Sequence, residues 1–92
     1  MRSMGRFEIM GHTDYYWRMI AREPERWEIT DDECQWILDN RFDGEFFQQT
    51  KDNYWQFNVY APELDYTVRV IMTEDGKNLH NAFNADKPIG RR

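Results

Sequence analysis

Residues Asp65–Thr73 alternate more strictly than any other stretch of the chain, and that pattern limits the folds open to it. Tyr66, Val68, Val70 and Met72 point one way while Thr67, Arg69 and Ile71 point the other. This two-residue period belongs to a strand with one face in a core. Glu74-Asp75-Gly76-Lys77 follows as a hairpin turn, its Asp-Gly pair supplying the positive φ angles such turns need. Asn78–Asn84 returns as the last strand. Upstream, Tyr54–Tyr60 places Trp55, Phe57 and Val59 on one face, and Glu45–Thr50 is a shorter strand across an Asp52-Asn53 turn. A loop, Ala61–Leu64, carries Pro62. Consecutive strands joined by short turns pair antiparallel, so the second half of the chain predicts a meander of about four strands.

Before Glu45 the apolar period is helical. Gly5–Met10 reads as a short first strand, with Phe7 and Ile9 alternating against Arg6 and Glu8, and Gly11 ends it. Thr13 is placed to cap a helix from Asp14 to about Arg22, with Asp14 complementing the helix dipole. Tyr15, Tyr16, Met19 and Ile20 form its apolar stripe, and Pro24 stops it. Thr30-Asp31-Asp32-Glu33 is a capping box: the threonine hydroxyl bonds the amide near Glu33, whose carboxylate reaches back. Cys34, Ile37 and Leu38 give the second helix its inward face, Asn40 and Gly44 end it, and Phe42 is expected to remain packed.

These elements predict an α+β fold, with N-terminal helices packed on one face of a C-terminal antiparallel meander and the opposite face left open. The open face would display Tyr54, Gln56, Asn58 and Tyr60 from one strand, Thr67, Arg69 and Ile71 from the next, and His80 and Ala82 from the last. At 92 residues the chain has the length of a single domain, taken as 1–92 with a frayed tail at 86–92. Six Phe, five Tyr and four Trp supply most of the core material and are expected largely on inward faces.

Cys34 is the only cysteine, which excludes a disulfide framework and a Cys-based zinc site, and two histidines alone make no metal centre. No metal and no cofactor is expected. No stretch approaches the roughly 20 apolar residues of a membrane span, and Met1–Gly11 lacks the apolar run of a signal peptide, so a cytoplasmic location is expected. The net charge of −5 is concentrated: residues 28–46 carry seven acids against Arg41 alone, while residues 47–92 balance six against six. Asp31-Asp32-Glu33 at a helix start reads as capping and dipole complementation, and Asp39, Asp43 and Glu45 lack EF-hand spacing.

Two stretches carry a family resemblance. "YWRMIAREPERWEITDDECQWILD" (Tyr16–Asp39) resembles the helical segment, with its Pro-Glu corner, of the barnase–EndoU–colicin–RelE superfamily of small ribonucleases and toxins. "VRVIMTEDGKNLHNAFNADK" (Val68–Lys87) resembles that group's valine-rich strand, glycine turn and final strand. Together they cover about half the chain, and the likeness is nearest to phage- and toxin-associated members. Three features depart from the group's pattern. Glu23 stands where a histidine often precedes Pro-Glu, Asn81 where Thr or Ser often precedes Ala-Phe, and the chain is acidic where members are typically basic.

The resemblance implies metal-independent RNA cleavage, which needs a base for the 2′-hydroxyl, a donor for the leaving oxygen and a cation at the phosphate. His80 is the candidate for proton transfer, Arg69 for the phosphate and His12 for a second acid or base. Tyr54 and Tyr60 suit base stacking, and Gln56, Asn58 and Asn81 complete a substrate-binding set. Each has an ordinary reading beside this one: His80 as an idle strand residue, His12 as a helix-entry residue, Arg69 as a solvated residue with a cross-strand partner. The acidic 28–46 segment favours a different class. This is a non-catalytic protein-binding module, an inhibitor or accessory protein of phage or mobile-element origin, working through charge complementarity. RNA is the partner on the first reading and a protein on the second.

Overall fold

Two threonines set the helices. In the computed structural model, which describes residues 7–86, Thr13 accepts from the Tyr16 amide and opens α1 (Asp14–Arg22), and Thr30 accepts from the Glu33 amide and opens α2 (Asp31–Asp39). Burial, with the neighbouring Glu63 carboxyl, raises the Glu33 pKa. A 3-10 segment, Pro24–Glu28, joins the helices, and a second, Arg41–Asp43, leads into the sheet.

The strands are β1 (Gly11–His12), β2 (Glu45–Gln48), β3 (Trp55–Ala61), β4 (Tyr66–Met72) and β5 (Asn78–Asn84), in the order β1-β5-β4-β3-β2. The meander is antiparallel as expected, but the sheet has five strands and is mixed, because β1 runs parallel to β5. The first strand is also displaced from its predicted place. Gly11, expected to end it, begins the paired residues, and the Glu8, Met10 and Thr13 amides donate to the Gly76, Lys77 and Leu79 carbonyls. The chain thus enters alongside β5 and leaves an edge only at β2 and β1. Gly5 and Arg6 of the predicted strand lie outside the described residues, as does the tail beyond Asp86. Asp86 itself is held, since its carboxylate accepts from the Thr67 amide.

The core lies between the sheet and the helices. α2 packs on β3 and β4, and α1 packs on β5. Cys34, Ile37 and Leu38 meet Phe57, Val59, Val68, Val70, Leu79 and Ala82 in one buried cluster that also takes in Phe7, Tyr16, Ile20 and Ile29. Complete burial of one such aliphatic or aromatic side chain stabilises by roughly 1.5–3 kcal/mol. Gly44, between α2 and β2, sits so close to β3 that a Cβ there would lie 2.1 Å from the Asn58 carbonyl oxygen.

One irregularity redirects the last strand. Met72 pairs with Leu79 but Ile71 pairs with Asn81, so His80 is the extra residue of a β-bulge. Regular alternation would put His80 and Ala82 together on the face away from the helices. The bulge instead gives that face His80, Asn81 and Phe83 and turns Ala82, 3% exposed, into the core.

Candidate functional site

The face of the sheet away from the core holds seven of the eight residues singled out in the sequence, and most have partners within the protein. His80 is half-buried at the bulge. Tyr15 of α1 stacks on its ring at 4.6 Å, Tyr54 meets it at 4.4 Å, and Thr13 Oγ1 lies 3.0 Å from its Nδ1. Burial lowers the His80 pKa, outweighing the opposite pull of Asp52, so the neutral ring is favoured. The Thr13 hydroxyl, already accepting from the Tyr16 amide, has its own proton to give to Nδ1 of such a ring.

Arg69 lies elsewhere on this face. Its Nε donates to its cross-strand neighbour Asn58 at 2.9 Å, and its guanidinium lies 5.5 Å from the Phe83 ring centre. Gln56 and Asn81 are buried, with Ile71 between them in the register. Gln56 accepts from Gln49, and Asn81 Oδ1 accepts from Arg26 Nη1 at 2.6 Å and from the Ala82 amide. Tyr60 is exposed and donates to Asp65. His12 is apart from all of these. Its Nε2 is 3.0 Å from both carboxylate oxygens of Asp31, and its ring lies against Tyr16 and Trp17.

Arg26 is the residue that sequence reasoning missed. It lies in the polar run Pro24–Glu28, yet it is 5% exposed, donates to Glu23 and Asn81, and stacks over Phe83 at 5.0 Å. The face expected to be bare is therefore partly closed by Arg26, by Tyr15 and by Tyr54. Comparison with protein-family models, with curated proteins and with solved structures gave no match to the chain.

The second surface lies around the start of α2. The expectation that the aromatic rings are mostly inward fails here: Trp17, Trp27 and Trp36 are 48%, 59% and 40% exposed. Phe42 is also exposed, its ring resting on Phe46 and under Arg41. Trp17 and Trp27 flank a groove of about 320 Å³ that Asp31 and Asp32 also line. Trp36, Pro62 and Glu63 line another of about 330 Å³ with Asp32 and Glu33. A third, of about 540 Å³, runs past Glu8, Asp31, Asp32 and Asp39. Asp32 borders all three. Among the described residues no group of three or more His, Cys, Asp or Glu side chains is arranged to hold a metal ion. No described helix is long and apolar enough to cross a membrane.

Proposed function

We propose that this protein is a non-catalytic binding module whose acidic, tryptophan-flanked α2 surface docks a basic segment of a protein partner. The observation that carries the reading is the convergence of three grooves on Asp32, two of them also lined by Asp31, with three exposed indoles around them. Tryptophan is enriched among residues that dominate binding energy, and large exposed indoles on a small domain call for a partner. Seven acids against one arginine over residues 28–46 select the sign of that partner. The same field repels phosphate, which argues against nucleic acid at this surface.

The ribonuclease reading draws less support. His80, Arg69 and His12 each have a separate internal partner, and Asn81 and Gln56 are used inside the protein. The test is calorimetric titration with an Arg/Lys-rich 12-residue peptide, an acidic peptide of equal length and a single-stranded RNA. The basic peptide alone is expected to bind, with affinity that falls as salt rises and drops on Asp32→Asn with Glu63→Gln. RNA cleavage that disappears in His80→Ala or Arg69→Ala would put the ribonuclease reading in its place.

A further inference from the structure

The groove beside α1 allows the partner's anchor to be specified, on the reading that the α2 surface docks a basic segment. Asp31 and Asp32, taken alone, are the capping and dipole residues expected at a helix start. What distinguishes this position is the pair of exposed indoles beside them. Trp17, on α1, and Trp27, in the 3-10 segment, have ring centres 6.5 Å apart and planes inclined at 46°. They form an open wedge, and Tyr16 and Ile29 line the groove beneath them. A cation seated in the mouth of that wedge can lie within the ~6 Å of both ring centres over which cation–π attraction acts.

The wedge is also held in place from below. His12 bonds both oxygens of Asp31 and lies 4.8 Å from Trp17, and Trp17 meets the buried Tyr16 edge-on at 5.1 Å. Asp31 is therefore committed to His12, and Asp32, exposed on the next position of the helix, is the carboxylate left to meet a ligand in this groove. The geometry points to an arginine side chain of the partner as the occupant, its guanidinium in the mouth of the wedge against Trp17 and Trp27 and paired with Asp32. Guanidinium is planar, stacks on indole and pairs with a carboxylate through two parallel N–H groups. Ammonium is a compact, strongly hydrated charge that does neither as well.

The probe is N-acetyl-arginine amide, followed through the indole N–H resonances of the intact protein. N-acetyl-citrulline amide, equal in shape but uncharged, and N-acetyl-lysine amide serve as comparisons. Arginine amide is expected to shift Trp17 and Trp27 saturably and to leave Trp36 in place. Lysine amide should act more weakly and citrulline amide not at all. Trp27→Ala and, independently, Asp32→Asn should each weaken the arginine response about fivefold or more, within the range known for cation–π and charged contacts. Both residues are exposed, so their replacement leaves the core intact.

Equal responses to arginine and citrulline, or a larger shift at Trp36, would overturn the assignment. If the basic 12-residue peptide binds while arginine amide leaves Trp17 and Trp27 unmoved, the anchor is elsewhere and the docking surface stands. If neither binds, both readings fall.

Discussion

Arg26→Ala should cost roughly 2–3 kcal/mol, far more than its place in a polar pentapeptide suggests. The side chain is 5% exposed and makes three contacts, each of which has a rough value. The 2.6 Å bond to the buried Asn81 oxygen is a charged hydrogen bond, worth about 1.5–3 kcal/mol. The 2.9 Å bond to Glu23 counts for less, since that carboxylate is 36% exposed and solvent screens it to about 0–1 kcal/mol. The stack on Phe83 adds about 0.5–1 kcal/mol. Against these stands the cost of holding a guanidinium out of water, which its removal returns. A net loss of about 2 kcal/mol lowers the melting temperature of a domain this size by roughly 8–16 °C. Urea unfolding of wild type, Arg26→Ala, Asn81→Ala and the double variant isolates the Arg26–Asn81 bond as a coupling energy of about 1.5 kcal/mol or more. A coupling near zero, with stability unchanged in Arg26→Ala, would mean the guanidinium is not tethered. The far face of the sheet would then have a mobile cation available for a ligand, and the ribonuclease reading would regain its main requirement.

Three further outcomes follow from single sites. Thr30→Ala removes the oxygen that the Glu33 amide bonds at 3.2 Å and should destabilise by about 1 kcal/mol in urea unfolding, with Thr30→Ser close to wild type. Gly44→Ala drives a methyl against the rigid Asn58 carbonyl, so it should cost about 1–3 kcal/mol although its position is on the surface; a neutral effect means that β2 can shift freely. His80 has its pKa lowered from 6.5 by burial, so the fold binds fewer protons here than the unfolded chain does. Its contribution is complete above pH 6.5 and is lost as pH falls from there through the folded value. The urea midpoint of wild type should therefore drop relative to that of His80→Gln across this range, and parallel profiles would refute the assignment.

Much of the fold was legible because its signals are local. Thr13 and Thr30 cap their helices through bonds that span three residues, and the positive φ of Gly76 at 75° is written in its Asp-Gly pair. β4 follows from alternation alone. The mixed sheet was not legible, because only two residues of β1 enter the ladder and nothing in them names a parallel partner. The bulge depends on how β5 fits between β4 and β1. Sequence period cannot tell whether His80 or Ala82 turns inward when one extra residue is absorbed. Arg26 was hidden for a similar reason: its acceptor is 55 residues away, and Pro24–Glu28 read by itself is a solvated corner.

The aromatic content misled the reading in an informative way. Fifteen rings in 92 residues suggested a core short of aliphatics, yet the buried cluster is built largely from Val, Ile, Leu, Met and Ala, with Phe7, Tyr16 and Phe57 as its buried rings. Rings surplus to that core have two places to go. On the far face, Tyr15 and Tyr54 pack against His80 and leave that histidine half-buried. Around α2, Trp17, Trp27 and Trp36 stay exposed beside the densest run of carboxylates. The packing therefore separates what the sequence had mixed, sending the histidine and arginine candidates into internal contacts and leaving indoles and acids outside. A surface of indoles and acids, with Arg41 the one cation of residues 28–46, is poorly equipped to neutralise a phosphate and has two complementary means of holding a cation. That asymmetry is what supports the proposal of a basic protein segment, over RNA, as the partner.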